Sequence, residues 1–364
     1  MFSEVFRNKK VLVTGNTGFK GSWLSLWLVE LGADVYGLSD TVPTNPSLFE
    51  AVNLEALVNH TMLDLGELDR VKELVSQIKP DFVFHLAAQA IVSLSHQDPL
   101  KTLRTNVMGT AHVLEALKDL EQECTAVFIT SDKCYENVEW VWGYKETDPL
   151  GGKDIYSASK AAAEIIFHAY KRSFFQESAI RLATARAGNV IGGGDWAMDR
   201  IVPDAMRSWN QSKPVIIRSP GATRPWQHVL EPLSGYLRLA QSLRESPNLH
   251  GESFNFGPPA GQNATVSHIL EDLAAVWGWN PPRDSYEAIG ETLFPEAGLL
   301  KLNCDKALSR LSWNPTLSYE EVIDYVGSWY SHFYTKKADL LKFTQAQIQS
   351  YIQKAKLRNA LWAQ

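Results

Sequence analysis

Tyr156 and Lys160 stand four residues apart in "YSASK", so on a helix they share one face. A phenol with an ordinary pKa of about 10 is a poor base at neutral pH, but an ammonium beside it favours the phenolate. Such a pair can take the proton of an alcohol while a hydride leaves the same carbon. A second cluster, Ser131-Asp132-Lys133, sets a hydroxyl, a carboxylate and an ammonium side by side where the apolar run "TAVFITS" (125–131) ends. In an open α/β sheet, ligands lie beyond the carboxyl ends of the strands, so Tyr156 can meet that cluster there.

The loop Thr14-Gly15-Asn16-Thr17-Gly18-Phe19-Lys20-Gly21 has the spacing G-x-x-G-x-x-G. Its glycines permit a tight turn and let the backbone approach a pyrophosphate, which the N-terminus of the next helix attracts. Gly15, Thr17, Gly18, Phe19 and Gly21 are therefore candidate contacts of a dinucleotide. An acidic residue ending the second strand grips the ribose 2′-hydroxyl of NAD, and the sequence offers Ser39 and then Asp40, with the register open between them. With no arginine there to receive a 2′-phosphate, NAD is expected over NADP and Asp40 is its candidate contact. Asp64, followed by Leu65, can reach the adenine or cap a helix. Leu86, Ala87 and Ala88 end a strand with mainly small side chains, which suits passage of a cofactor and equally suits tight packing.

These groups need elements to hold them. Short apolar runs at 9–15, 34–40, 80–88 and 125–131 alternate with helical patterns at 18–33, 66–78 and 102–120. Strands buried on both faces and separated by helices predict an α/β fold with a doubly wound, Rossmann-type parallel sheet. In the first helix Trp23, Trp27, Leu28 and Leu31 form one apolar stripe. After "ARAGNVIGGGDW" (185–196) the alternation loosens, which predicts an NAD-binding domain over 1–190. A smaller substrate lobe follows over 191–335, with some segments returning to the first domain. The remainder, 336–364, reads as a helical tail whose broken apolar stripe suits an oligomer contact or an intramolecular clamp.

The composition, 45% hydrophobic and 21% charged, is that of a globular protein rather than a disordered one. A net charge of −6 and a pI of about 5.9 leave no overall basic field for nucleic acid or an anionic membrane, so an anionic substrate needs local cations. The N-terminus has no apolar core of a secretory signal and no run reaches spanning length, which predicts a cytoplasmic protein. Cys124, Cys134 and Cys304 are too few and too scattered for a disulfide framework. The histidines show no metal-ligand spacing, so no metal is expected.

The stretches "TGNTGFKG", "SDKCYEN", "YSASK", "ARAGNVIGGGDWAMDRIVPD", "RPWQHVLEPL" and "FNFGP" span about residues 9 to 330 in order. Together they resemble the extended short-chain dehydrogenase/reductases that act on nucleotide sugars, and among these the 4,6-dehydratases. The resemblance implies NAD as cofactor, CDP-glucose as small-molecule substrate and a redox-neutral dehydration. C4 is oxidised through Tyr156 and Lys160, water is lost across C5 and C6, and hydride returns to C6. In that scheme Asp132 protonates the departing 6-hydroxyl, Lys133 removes the C5 proton acidified by the 4-ketone, and Ser131 holds the C4 oxygen. Related dehydratases carry Thr-Asp-Glu where this chain has Ser-Asp-Lys, and an ion pair from Lys133 to Asp132 or Glu136 is the alternative role.

By the same match Gln89, Asn189, Arg200 and Arg224 contact the substrate, the arginines lying in the segments that meet its diphosphate and nucleoside. Ordinary surface arginines are the competing explanation. The match also implies a homodimer or homotetramer that makes a precursor of deoxysugars in bacterial surface polysaccharides such as the O-antigen of lipopolysaccharide. A sugar-nucleotide 4-epimerase shares the glycine loop and the Tyr/Lys pair but needs no acid to expel a 6-hydroxyl. A non-catalytic NAD-binding scaffold would tolerate loss of Tyr156 or Asp132.

Overall fold

The four apolar runs become β1 (Lys10–Thr14), β2 (Asp34–Ser39), β4 (Phe82–His85) and β5 (Cys124–Ile129), and three further strands join them: β3 (Asn59–Met62), β6 (Ile180–Ala187) and β7 (Ser253–Phe256). They form one parallel sheet in the order β7-β6-β5-β4-β1-β2-β3. This computed structural model describes residues 1–259, 261–289, 299–336 and 339–364. Residue 260 and residues 290–298 of the expected substrate lobe, and residues 337–338 of the expected tail, lie outside the described residues.

Side chains alternate across each strand. Val11, Val13, Phe82, Phe84, Val127 and Ile129 enter a large core on one face, while Leu12, Val83, Ala126, Phe128 and Leu182 enter a second core on the other. That second core is closed by α2 (Leu68–Ile78), which buries Val71, Val75 and Ile78 at helical spacing, and by α3 (Gly109–Lys118) and α4 (Ile155–Phe174). Because the strand order reverses between β1 and β4, a crevice opens at their carboxyl ends. β7 follows the second-lobe segment in sequence yet pairs with β6, its Asn255 opposite Arg186.

Two sequence expectations change. α1 (Phe19–Glu30) does not present a single stripe: Ser22, Trp23, Leu24, Ser25, Leu26, Trp27 and Leu28 are all buried. The reason is a helix from the tail, α8 (Leu340–Leu357), which covers the side of α1 that solvent would otherwise reach. Tyr351 and Trp362 meet the Trp27 ring at centroid distances of 5.7 and 5.9 Å, and Gln345 bonds Glu30. The tail thus clamps its own chain. The helix expected over 102–120 is divided into Pro99–Leu103, a wider π turn over Arg104–Met108, and α3. Asn106 in that turn points inward, donating to Ser159 Oγ at 2.8 Å and accepting from Gln89 N at 2.8 Å.

The clamp converges on buried Glu231 in α6 (Leu230–Glu245), where α5 is the helix Ile201–Asn210 that precedes it. Its carboxylate accepts from Thr316 N, Leu317 N and the Tyr351 hydroxyl at 2.6–3.0 Å. Burial pushes its pKa up to about 7 although those donors oppose the shift. Glu231→Ala strands two amides in the interior while the Tyr351 hydroxyl keeps Ser234 Oγ at 3.0 Å, and each unsatisfied buried group costs about 1–3 kcal/mol. A loss of about 3 kcal/mol or more in the unfolding free energy is expected in urea titration.

Candidate active site

The glycine loop fills the crevice between β1 and β4. Gly15 has φ +74°, and a Cβ there would lie 2.8 Å from the Ala87 backbone; a Cβ on Gly21 would lie 2.0 Å from the Gly15 carbonyl oxygen. Only glycine allows this approach. Ala87 N donates to Thr14 Oγ1 at 3.2 Å, so the Leu86-Ala87-Ala88 segment lines the loop directly. α1 begins at Phe19 with no side-chain cap, which leaves its first amides available to an anion.

At the end of β2 the two candidates differ in their hydrogen bonding. Ser39 is buried, its hydroxyl donating to Asn16 Oδ1 at 2.9 Å and accepting from Thr17 N, so it serves the loop. Asp40 is exposed one residue later. Asp64 is exposed too; it does not cap α2, whose N-cap is Glu67, but accepts from Gly66 N at 2.8 Å. Leu65 beside it is buried. An uncapped helix start, a loop that admits no Cβ and an exposed carboxylate after β2 fit a dinucleotide.

At the carboxyl end of β5, Ser131 Oγ donates to Asp132 Oδ1 at 2.9 Å and accepts from Lys133 N at 3.3 Å. Asp132 is buried, and burial raises its pKa although Lys133 and Ser131 oppose that. A Cβ on Gly188 would fall 2.1 Å from Asp132 Oδ2, so this glycine leaves the carboxyl its room. Lys133 is half-buried, and among the described residues no carboxylate lies within 4 Å of its Nζ. The ion pair to Asp132 or Glu136 does not form.

Asp154 caps α4 through Ser157 N at 2.9 Å and so sets the entry of Tyr156. Burial pushes the Tyr156 phenol up to about 12, while a hydrogen bond with Ser131 and the Arg200 charge hold it back. Burial also lowers Lys160 to about 8. Tyr156, Ser131, Asp132 and Lys160 therefore meet in one site.

One turn beyond Lys160, Glu164 is fully buried against Arg186, with bonds of 3.0 and 2.8 Å, and accepts from Thr130 and Thr184. Burial raises the Glu164 carboxyl, yet the Arg186 guanidinium keeps it below the usual range. Arg186 continues to Tyr135, and Tyr135 to Asn255. This network anchors α4 to β5, β6 and β7. The sequence analysis missed it, although Tyr156, Lys160 and Glu164 repeat at intervals of four.

Arg200 joins the site through Asp195, to which it donates at 2.8 Å. Asn189 follows Gly188, and its carbonyl accepts from Gln227 N. Arg224 precedes Pro225, which lines a small cleft together with Gly188, Gln227, Gln262 and Lys301. Gln89 stands apart in character. Its side chain is engaged by Ile91 and Thr102 at 2.5–2.9 Å, so it braces the loop after β4.

A family model described as GDP-mannose 4,6 dehydratase matches residues 12–326. The chain belongs to this family. Among its relatives, the CDP-glucose 4,6-dehydratase of Salmonella typhimurium is 45% identical over 352 residues, covering 95% of this chain and 97% of that protein. The UDP-glucose 4-epimerase of Mycoplasma pneumoniae is 25% identical, covering 90% and 98%. The dTDP-glucose 4,6-dehydratase of Bacillus anthracis, solved in complex with NAD, shares the fold with a TM-score of 0.76 at 19% identity, over 92% of this chain and 99% of that one. Membership of the dehydratase family agrees with an acid placed beside a tyrosine–lysine pair.

Proposed function

We propose that this protein converts CDP-glucose to CDP-4-dehydro-6-deoxyglucose, as an NAD-dependent hydro-lyase. The observation that carries this is the meeting of buried Asp132 with Tyr156: a carboxyl whose pKa burial raises stands beside the group that handles the C4 hydroxyl. NAD, held by Gly15, Thr17, Gly18, Phe19, Gly21, Asp40 and the Asp64-Leu65 and Leu86–Ala88 segments, supplies the hydride acceptor at C4 and the donor at C6. Tyr156, with Lys160 behind it, takes the proton from the 4-hydroxyl. Ser131 holds the resulting carbonyl oxygen, Lys133 removes the C5 proton, and Asp132 protonates the leaving 6-hydroxyl. Arg200 and Arg224 bind the nucleoside diphosphate, with Asn189 beside the hexose.

A 4-epimerase would have no use for Asp132. Incubation with CDP-, dTDP- and GDP-glucose plus NAD, followed through the alkaline absorbance of the 4-keto product, tests the proposal. Product from CDP-glucose is expected, and its absence with CDP-glucose but presence with another sugar nucleotide would reassign the substrate. We further propose that it works in the cytoplasm as a homodimer or homotetramer and feeds deoxysugar synthesis for surface polysaccharide.

Cofactor choice gives a separate expectation. The Asp40 carboxylate meets a 2′-hydroxyl favourably but repels a 2′-phosphate. After removal of bound nucleotide, NAD should bind about tenfold or more tighter than NADP by calorimetry, since like-charge opposition costs on the order of 1 kcal/mol or more. A preference for NADP would refute it.

A further inference from the structure

Lys20 has no part in the scheme above, yet it is the second residue of α1, between Phe19 and Gly21. Local packing fixes where it stands. The Phe19 ring abuts Gly192, where a Cβ would come within 3.1 Å of it; Trp23 Nε1 donates to the Gly193 carbonyl at 2.9 Å; and Gly21 presses on Gly15. The first turn of α1 is thereby wedged between the glycine loop and the segment leading to Asp195. The charged groups acting on the Lys20 ammonium are Lys160 on α4, Asp132 after β5, and Asp195 and Arg200 before α5. Lys160 and Asp132 belong to the reacting constellation, and Arg200 adjoins it through its effect on Tyr156.

Packing alone does not account for this residue. A cation in the first turn of a helix opposes the macrodipole, and α1 carries no acidic residue there to offset it. Among the described residues no carboxylate lies within 4 Å of the Lys20 Nζ. Asp195 is engaged by Arg200 and Asp132 by Ser131. Burial, helped by Lys160 and Arg200, pulls the Lys20 pKa down to about 7 against the pull of Asp132 and Asp195, so the ammonium form prevails below that pH and an added negative charge nearby would stabilise it. A half-buried donor among the charged groups of the site, with no carboxylate partner among the described residues, is suited to an oxygen of the substrate.

We propose that Lys20 is a further catalytic residue, whose ammonium faces the hexose oxygen at C4 and stabilises the negative charge that gathers there as the C5 proton departs. This rests on the dehydratase reading. In the step concerned, the C5–H electrons form a C4–C5 double bond, the carbonyl π pair moves onto the C4 oxygen, and the proton passes to Lys133. The pair then returns to rebuild the ketone, the C5–C6 double bond forms, and the C6–O bond breaks as the hydroxyl takes the Asp132 proton and leaves as water. Lys20 exchanges no proton. It acts by charge, as a preorganised donor does for an oxyanion.

The test compares wild type, Lys20→Met and Lys20→Arg by NAD calorimetry and by exchange of the C5 hydrogen into deuterated water. Lys20→Met should keep NAD affinity within about threefold of wild type and lose C5 exchange by about tenfold or more, with partial recovery in Lys20→Arg. Should Lys20→Met fail to fold, Lys20→Gln serves in its place. C5 exchange within about threefold of wild type in the neutral variant, while wild type turns over CDP-glucose, overturns this inference alone. So does a neutral variant whose only defect is weaker NAD binding, which would make Lys20 a cofactor ligand. A wild type inert toward every sugar nucleotide removes the dehydratase reading and this inference with it.

Discussion

Tyr156→Phe is expected to bind NAD as wild type does and to turn over CDP-glucose more slowly by a factor on the order of 10² or more, the usual effect of deleting an acid–base group. The fold should survive, because Asp154 rather than the phenol caps α4 and the helix is anchored further along by Glu164 and Arg186. The chemistry should not. Burial pushes the phenol up to about 12, so the phenolate depends on neighbours that favour charge, the Ser131 hydroxyl and Arg200. Lys160 is lowered to about 8, so it carries its charge below that pH and loses it above. Lys160→Arg, which stays charged, should therefore extend activity to more alkaline pH if its longer head group is accommodated. Calorimetry with NAD and steady-state turnover check the first expectation. Near-wild-type turnover by Tyr156→Phe would remove Tyr156 from C4 oxidation.

The parts of this molecule set by local pattern were readable without a structure. The strands alternate between two cores, and the G-x-x-G-x-x-G spacing is what the contact of Gly15 with Ala87 and of Gly21 with Gly15 requires. Parts set by partners distant in sequence were not. Whether Ser39 or Asp40 faces the cofactor depends on a hydrogen bond to Asn16, 23 residues away. The Glu164–Arg186 pair joins a helix to a strand, and nothing in either segment names the other. α1 read as amphipathic because the helix that covers its outer side lies more than 300 residues on, as the Gln345–Glu30 bond marks. The same distance effect hid Lys20, which in sequence stands only at an unspecified position of the G-x-x-G-x-x-G spacing.

Lys133→Met isolates the elimination. The side chain is half-buried at the end of β5, its backbone fixed through Ser131, and it is not drawn into an ion pair with Asp132 or Glu136. A lysine acts as a base only as the neutral amine. At Asp132 burial raises the pKa, which favours the protonated acid that the 6-hydroxyl needs. Lys133→Met should still oxidise C4, yielding a 4-keto sugar that retains its 6-hydroxyl by mass spectrometry. C5 exchange with deuterated water should fall by a factor on the order of 10² or more. The Asp132 variant Asp132→Asn should show the complementary pattern, exchanging C5 while losing little water, because the proton donor and not the base is gone. If Lys133→Met exchanged C5 at the wild-type rate, the base would have to be Asp132 or a water bound beside it, and the role of Ser131-Asp132-Lys133 would contract to the acid and the oxygen donor.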